Sequence, residues 1–221
     1  MSGVSSADTP AAAASLPSLR ARTFTIIDVA ATALFGIEGA AAAVHAGLDV
    51  LGVLVVGFVV ALAGGMLRDV LLGDLPPAAL RTPSRIITAI AAAAAAFLVV
   101  GVVDAIPGGV LITLDALGLA LFAMTGAEKA SSRGANLWVV TILGGITATG
   151  GGVLRDVLLL RTPVVLTESV YGTAALAGAL ATGIVMSFTR RPRTAMLVGF
   201  VVAFSLRMLA VTFGWQLPRA L

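Results

Sequence analysis

Long apolar stretches alternate with short polar breaks along most of the chain, and each stretch is close to 20 residues long. About 20 apolar residues in helical form cross the hydrocarbon core of a bilayer. Proline and glycine mark the breaks, as at Pro76-Pro77 and Pro107-Gly108-Gly109. We therefore predict an all-α polytopic membrane protein with seven spanning helices. Their approximate bounds are 24–44, 49–72, 85–103, 110–130, 137–160, 169–189 and 195–215.

The composition supports a bilayer as the surrounding medium. Of the 221 residues, 59% are hydrophobic and 11% are charged, whereas a soluble domain carries about 25% charged residues. The chain has no cysteine, and His45 is its one histidine. Thiolate and histidine metal sites and a Ser-His-Asp triad are therefore not expected, and we predict no enzyme, no cofactor and no metal. The net charge of +3 comes from scattered arginines and does not indicate nucleic-acid binding.

The chain contains an internal repeat. Residues 64–72 (GGMLRDVLL) align without a gap with residues 151–159 (GGVLRDVLL), and the same offset pairs Asp28 with Asp115 (115 − 28 = 87). Each copy holds three predicted helices. Because three is odd, the second copy enters the bilayer from the opposite side, which is the inverted repeat found in many transporters. We divide the chain into a disordered tail (1–22), a first three-helix repeat (23–108), a second three-helix repeat (109–192) and a seventh helix with the C-terminus (193–221).

Basic residues are divided unevenly between the two sides of the predicted bundle. One side carries Arg20, Arg22, Arg81, Arg85, Lys129, Arg133, Arg190, Arg191 and Arg193. The other side carries Arg161 and Arg219, with Arg155 near a helix end. The positive-inside rule places the richer side in the cytoplasm. We predict a multi-pass protein of the cell (inner) membrane, with a cytoplasmic N-terminus and an external C-terminus.

Paired glycines come shortly before an Arg-Asp pair near the end of the second and fifth predicted helices. Such glycines weaken a helix and permit a kink or unwinding. Carbonyl groups freed in this way can coordinate a cation where they line a water-filled path. Close packing of helices through small residues is the alternative. The candidate helix breaks along a pore are Gly64, Gly65, Gly150, Gly151 and Gly152.

The pairs Arg68-Asp69 and Arg155-Asp156 lie about one turn from their helix ends. These side chains could extend to the membrane interface, or they could form ion pairs that line a vestibule. Asp28 begins the first helix on the side where the second helix ends. We therefore expect Asp28 to meet Arg68 and, by the repeat, Asp115 to meet Arg155.

Three charged residues are predicted to lie deep in the bilayer. Arg207 lies about 18 Å from the cytoplasmic end of its helix and Glu38 about 21 Å, at roughly 1.5 Å per residue. Asp115 reaches a similar depth from the other side. A charge at this depth needs a partner or water. We expect Arg207 to pair with Glu38 or Asp115, either in a wet interior or as a purely structural salt bridge.

Residues near the helix ends have simpler interpretations. Glu128-Lys129 ends the fourth predicted helix, and we expect it to be a solvated helix end. The alternative counts Lys129 among the residues of a polar interior or of ion pairs. Trp138, Trp215 and Tyr171 lie near helix ends and fit an aromatic belt at the membrane interface.

At the doubled Gly-Gly-x-x-Arg-Asp-Val-Leu-Leu motif, with three helices per repeat and a seventh helix, the chain resembles the prokaryotic TRIC (trimeric intracellular cation channel) family over about residues 24–215. This bacterial group is also described by a doubled glycine-transporter-like domain. The resemblance implies a homotrimer in which each protomer has a potassium-permeable pore, with kinks at Gly64-Gly65 and Gly151-Gly152. Animal relatives have Lys-Glu where this chain has Glu128-Lys129, so no gating or lipid-binding role is transferred to Lys129. Their C-terminus is cytosolic, opposite to the orientation predicted above.

Two functions fit the sequence. The first is a membrane channel that conducts monovalent cations, potassium in particular. The alternative is a secondary transporter of a small amino acid such as glycine, because half-helix ends can hold a carboxylate and an ammonium group. A non-transporting scaffold or an intramembrane enzyme is a third possibility, against which the lack of a nucleophile motif argues. The expected partners are the lipid bilayer, two further copies of the chain, and potassium or a small amino acid as permeant.

Overall fold

The computed structural model describes residues 19–103, 108–167, 170–189 and 191–217. These residues form nine helices. The helices are α1 (Leu19–His45), α2 (Val50–Leu71), α3 (Ala78–Arg81), α4 (Pro83–Val103), α5 (Gly108–Ser132), α6 (Leu137–Leu158), α7 (Val164–Thr167), α8 (Tyr171–Thr189) and α9 (Pro192–Phe213). The predicted tail 1–22 lies outside the described residues except for its last four, which are helical and belong to α1.

The long helices are apolar enough to cross a membrane. Six of them, α1, α2, α5, α6, α8 and α9, have the necessary length and hydropathy, and α4 adds a shorter apolar helix over Pro83–Val99. Many of their large apolar side chains face outward, such as Leu98, which is 81% exposed. An apolar surface of this extent is stable in contact with lipid or with other apolar protein surfaces. The prediction of an all-α polytopic membrane protein is confirmed, and the third predicted span is the shorter helix.

The two repeats have matching backbones. Helices α2 and α6 begin and end at positions that differ by the repeat offset. Each is capped by an equivalent side chain, because Asp49 accepts from the Gly52 N–H at 2.8 Å and Asn136 accepts from the Val139 N–H at 2.9 Å. Asp and Asn are both good N-caps, so the change of residue preserves the helix start. In each repeat the first two long helices pack together and against the third.

Helices α2 and α6 cross at glycines in the centre of the molecule. A Cβ atom at Gly64 would collide with the carbonyl oxygen of Thr147, and one at Gly151 would stand 2.5 Å from the carbonyl oxygen of Val60. Position 147 is the repeat equivalent of position 60, and 151 is that of 64. The two contacts are therefore reciprocal, as expected across a two-fold axis. Glycine permits the two backbones to touch.

This crossing corrects one expectation. Both α2 and α6 are continuous helices through Gly64-Gly65 and Gly150–Gly152, so the predicted unwinding is absent from the described residues. The physical reason is the close packing of the two helices, which was the alternative. The glycines serve contact between repeats because each removes a Cβ that would separate the helices.

Aromatic packing joins α1 and α5 at the same interface. Phe35 and Phe122 occupy equivalent positions in the two repeats, and their rings stack with centroids 5.2 Å apart. Helix α9 packs on α8 and α5 and completes the second half of the bundle.

Candidate functional site

A first charged cluster lies where α1, α2 and α4 meet. Arg68, on the last turn of α2, is 1% exposed. Its Nη1 lies 3.0 Å from Asp28 Oδ1, and its Nε donates to Asp69 Oδ1 at 2.7 Å. The Nη2 of Arg85 contacts the second oxygen of Asp28 at 2.8 Å. Asp28 is thus held between two guanidinium groups, and the expected contact between Asp28 and Arg68 is present.

Asp69 ties this cluster to the second repeat. Its Oδ2 accepts from the backbone N–H of Ala78 at 2.9 Å, which fixes the start of α3. Its Oδ1 accepts from Lys129 Nζ on α5 at 2.7 Å. The side chain of Lys129 is only 13% exposed and Glu128 is also buried, so the expectation of a solvated helix end is wrong and the alternative, an ion pair at Lys129, is present. The ion pair holds the ammonium group against the protein.

Asp74, in the loop after α2, gathers further cations at this end of the bundle. Lys129 Nζ lies 2.7 Å from its Oδ2, Arg133 Nη2 lies 3.1 Å from the same oxygen, and Arg81 bonds to its Oδ1. The hydrogen bonds from Lys129 and Arg81 hold the pKa of Asp74 well below its ordinary value. The carboxylate therefore stays charged and keeps these three basic side chains over the end of the cluster.

Little space remains inside this first cluster. The cavity between Asp28, Arg68 and Arg85 has a volume of about 10 Å³, which is about the room needed for one water molecule. The Nε of Arg85 is buried and has no hydrogen-bond partner among the described atoms. The side chains of the first cluster therefore fill almost all of its interior and leave room for at most about one water molecule.

A second charged cluster lies at the other end of α1. Arg155, on the last turn of α6, donates its Nε to Asp156 Oδ1 at 2.8 Å, and its Nη1 bonds to Glu38 of α1. Asp156 Oδ2 accepts from the backbone N–H of Val164 at 2.8 Å, which repeats the contact between Asp69 and α3. The local backbone is thus the same as in the first cluster.

The partner of Arg155 differs from the expectation. Asp115 was expected to take the role of Asp28, but the carboxylate that Arg155 reaches is Glu38, from the other repeat. The equivalent of Glu38 in the second repeat is Thr125, which has no charge. Glu38 therefore introduces a competing carboxylate at the second cluster that the first cluster lacks.

Asp115 has other neighbours. Its Oδ1 accepts from the hydroxyl of Tyr171 at 2.9 Å, and its Oδ2 lies 3.8 Å from Arg207 Nη2. The guanidinium of Arg207 lies over the ring of Tyr171, 4.9 Å from the centroid, in a cation–π contact. Arg207 is buried, and the expected pairing with Asp115 is present. Tyr171 is 2% exposed, so its assignment to an aromatic belt is wrong, whereas Trp138 at 79% exposed fits one.

The second cluster opens into a vestibule. A cavity of about 340 Å³ leads from the surface to these side chains. Its charged and titratable lining comprises Glu38, His45, Asp115, Arg155, Asp156, Arg161 and Arg207. Such a volume holds several water molecules. Water therefore reaches the carboxylates of the second cluster, whereas those of the first cluster are enclosed.

Three residues of the two clusters were not identified from the sequence. Arg85 was counted only among the basic residues of one side, Asp74 was not considered, and Tyr171 was assigned to the aromatic belt. The repeat carried a usable signal, because Arg85 lies in the first turn of α4 and Tyr171 begins α8, the equivalent helix, and the two contact the equivalent aspartates. Among the described residues no group of His, Cys, Asp and Glu is arranged to hold a metal ion.

The sequence is similar to a known family and to several bacterial membrane proteins. The family described as Glycine transporter matches the chain twice, at residues 25–102 and 112–187. The UPF0126 inner membrane protein YadS of Escherichia coli is 33% identical over 193 residues, which cover 87% of this chain and 93% of YadS. The UPF0126 membrane protein YvgT of Bacillus subtilis is 32% identical over 88% of this chain and 95% of its own length.

Solved structures share the fold. A chain from a study of conductance through TRIC cation channels superimposes with a TM-score of 0.82 at 40% identity, and the match covers 90% of this chain and 97% of that one. The TRIC trimeric intracellular cation channel orthologue from Rhodobacter sphaeroides gives a TM-score of 0.81 at 34% identity, over 87% and 99% of the two chains. The resemblance stated from the doubled motif is confirmed. The chain therefore belongs to the prokaryotic TRIC channel family, in which the Glycine transporter domain occurs twice.

Proposed function

We propose that this protein is a membrane channel that conducts monovalent cations, potassium in particular, along a path inside each protomer. The observation that carries the proposal is the vestibule of about 340 Å³, which brings water to three carboxylates deep in an apolar bundle. Carboxylate oxygens can replace part of the hydration shell of a cation in a low-dielectric pore. The similar structures at 34–40% identity are described as cation channels, which supports the same conclusion.

The permeation path would run from the vestibule along the interface of the two repeats to the first cluster. Asp28 and Asp69 would provide the carboxylates at that end. The ion pairs of Lys129 with Asp69 and Asp74 support a closed state there, because they occupy the carboxylates and leave almost no space. Opening would require Lys129 to leave Asp69. The helix-crossing glycines, Gly64 and Gly151, would hold the rest of the path in place.

We infer a homotrimer in the inner membrane, with the N-terminus in the cytoplasm. The Rhodobacter sphaeroides orthologue is described as trimeric, and YadS is described as an inner membrane protein. The orientation rests on the distribution of Lys and Arg. Under this orientation the first cluster faces the cytoplasm and the vestibule opens on the other side.

A carrier of a small amino acid is the second candidate. The family description names glycine, and the vestibule offers both guanidinium and carboxylate groups, which a zwitterion needs. A carrier and a channel differ in what drives the flux, so one reconstituted preparation separates them.

The test is flux through purified protein in liposomes. We expect potassium to move down its own gradient without a proton or sodium gradient, and single-channel steps to appear in planar bilayers. Glu38→Gln should lower the potassium flux several-fold, because it removes a carboxylate from the vestibule. Asp49→Asn is the matched control, because it makes the same chemical change at a residue outside the vestibule lining, and asparagine caps a helix as well as aspartate does.

Saturable glycine uptake that requires an ion gradient, with no potassium current in the same preparation, would contradict the channel. Equal loss of flux in Glu38→Gln and Asp49→Asn would instead contradict the role of Glu38, because it would attribute the effect to folding.

A further inference from the structure

The two ends of the proposed path carry opposite charges at equivalent positions. Asp74 and Arg161 each follow the Arg-Asp pair of their repeat by the same number of residues. The backbone N–H of Asp74 donates to the Asp69 carbonyl at 2.8 Å, and that of Arg161 donates to the Asp156 carbonyl at 2.8 Å. The backbone places both side chains at the mouth of their cluster, so the difference between the mouths is one of charge.

At the first mouth the acidic residue collects basic side chains. Asp74 binds Lys129 and Arg133, and these contacts cover the end of the first cluster. At the second mouth Arg161 cannot do the same. It is exposed at the rim of the vestibule, where its like charge disfavours another basic side chain.

The charge of the vestibule depends on Arg161. Glu38, Asp115 and Asp156 carry three negative charges, and Arg155 and Arg207 carry two positive charges, which leaves a formal charge of −1 behind the rim. The guanidinium of Arg161 brings the sum to zero. Clefts lined by charge of one sign raise the local concentration of counter-ions, so this cancellation lowers the cation concentration at the mouth.

We propose that Arg161 is a specificity-determining residue of the channel, which limits how fast cations enter the vestibule and how strongly anions are excluded. The inference rests on the proposed function, because it assigns a role within the same path. Arg161 acts here through its charge at the rim and not through a contact that holds the fold. A smaller positive field at the rim should therefore give a larger cation current.

The experiment is single-channel recording of Arg161→Gln and Arg161→Asp in planar bilayers with symmetric potassium chloride. Asp is the residue at the equivalent position of the first repeat. At about 0.01 M salt, where the Debye length is about 30 Å, we expect the conductance to rise about twofold or more in Arg161→Gln and further in Arg161→Asp. At about 1 M salt, where the Debye length is about 3 Å, the variants should equal the wild type. The potassium-to-chloride permeability ratio, from reversal potentials under a salt gradient, should rise in the same order.

Two variants control for indirect effects. Arg161→Lys keeps the charge and should conduct like the wild type. Arg193→Gln removes an exposed arginine at the start of α9, outside the vestibule lining, and should leave the conductance for cations that enter from the vestibule side unchanged. Oligomer size and melting temperature in detergent should match the wild type for all four variants, which a structural role of Arg161 would not allow.

The outcomes separate this inference from the proposed function. If the wild type conducts potassium and Arg161→Asp has the same conductance at low salt, the role of Arg161 is overturned and the channel is left intact. A change that is the same at low and high salt also overturns it, because a charge effect must be screened. A wild-type protein that carries no potassium current overturns the channel and this inference together.

Discussion

The two repeats of this protein share a backbone but differ in access to water. In the first repeat Asp28 lies between Arg68 and Arg85 in a cavity of about 10 Å³. In the second repeat Asp115 accepts from the phenol of Tyr171 and pairs with one guanidinium group, that of Arg207, and water reaches it through a vestibule of about 340 Å³. The helix caps, the glycine crossing and the start of the short helices are the same in both. The difference therefore comes from a few side chains at equivalent positions.

Besides the exchange of Glu38 for Thr125, three substitutions between the repeats contribute to this difference. Arg85 corresponds to Tyr171, which replaces a cation by a hydroxyl. Lys129, which closes the first cluster, corresponds to Ala42, which lines the vestibule and leaves it open. The third is the exchange of Asp74 for Arg161. The two three-helix repeats thus support one closed and one open end, and α9, which packs on the second repeat, adds Arg207 to the open one.

The largest expected effect comes from replacing the equivalent arginines of the closed and open ends, Arg68 and Arg155, by alanine. Arg68→Ala leaves Asp28 and Asp69 buried with reduced compensation, and we expect a loss of about 3–5 kcal/mol in stability, seen as loss of the folded oligomer. Arg155→Ala should cost less, about 1–2 kcal/mol, because vestibule water can solvate Glu38 and Asp156. The measurement is melting temperature by size-exclusion chromatography of heated detergent extracts. Equal losses would refute the contrast in hydration, and Arg68→Ala with wild-type flux and oligomer would remove the role of the first cluster.

A smaller effect tests a feature that the repeats share, the crossing of α2 and α6 at glycines. Gly64→Ala places a Cβ on the Thr147 carbonyl, and we expect it to separate α2 from α6 at a cost of about 1–3 kcal/mol. Gly65→Ala is the matched control, because its Cβ would meet only the end of the Arg68 side chain at 3.6 Å, and alanine favours the helix by about 1 kcal/mol. The melting temperature should fall for the first variant and hold or rise for the second. The opposite order would show that the glycines serve the helix and not the crossing.

The smallest effect concerns Asp74, at the mouth of the first cluster. Because the pKa of Asp74 is lowered in the folded protein, its ion pairs stabilise the fold above about pH 4 and lose this effect as the pH falls through the lowered pKa. Asp74→Asn should therefore lower the melting temperature slightly at neutral pH, and its difference from the wild type should shrink in acid. A difference that grows below about pH 4 would have the wrong sign for a stabilised carboxylate.

Much of the fold follows from the sequence because membrane helices leave a strong signal. The length of the apolar stretches predicted the helices. The gapless match of Arg68-Asp69 with Arg155-Asp156 indicated the repeat, and the odd number of helices in each copy indicated its inversion. The contact between Asp28 and Arg68 followed from their common side of the bilayer. The division of the chain at 23–108 and 109–192 stays a prediction, although the two family matches fall within these bounds.

The sequence did not predict ion-pair partners correctly where the choice between them depends on the distances between helices. Glu38 and Asp115 both lie at a depth that Arg155 could reach, and only the packing of α1 against the second repeat decides for Glu38. The local sequence around Lys129 is that of a helix end, and it does not indicate whether the ammonium group contacts water or a carboxylate of the other repeat. The glycines are compatible with a helix break and with a close helix crossing. The choice depends on whether a second helix packs against them, which the sequence of one helix does not show.

The stacked rings of Phe35 and Phe122 have a consequence for how such a molecule can change. A residue beside a two-fold axis has its own copy as neighbour, so in a dimer of identical three-helix chains each mutation there would occur twice at one contact. Fusion into a single chain removes that constraint, because one ring can be replaced while the other stays. The two halves of a fused chain can therefore diverge one side chain at a time. The contact between Phe35 and Phe122 is free to diverge as well, although in an unfused dimer it would be the most constrained.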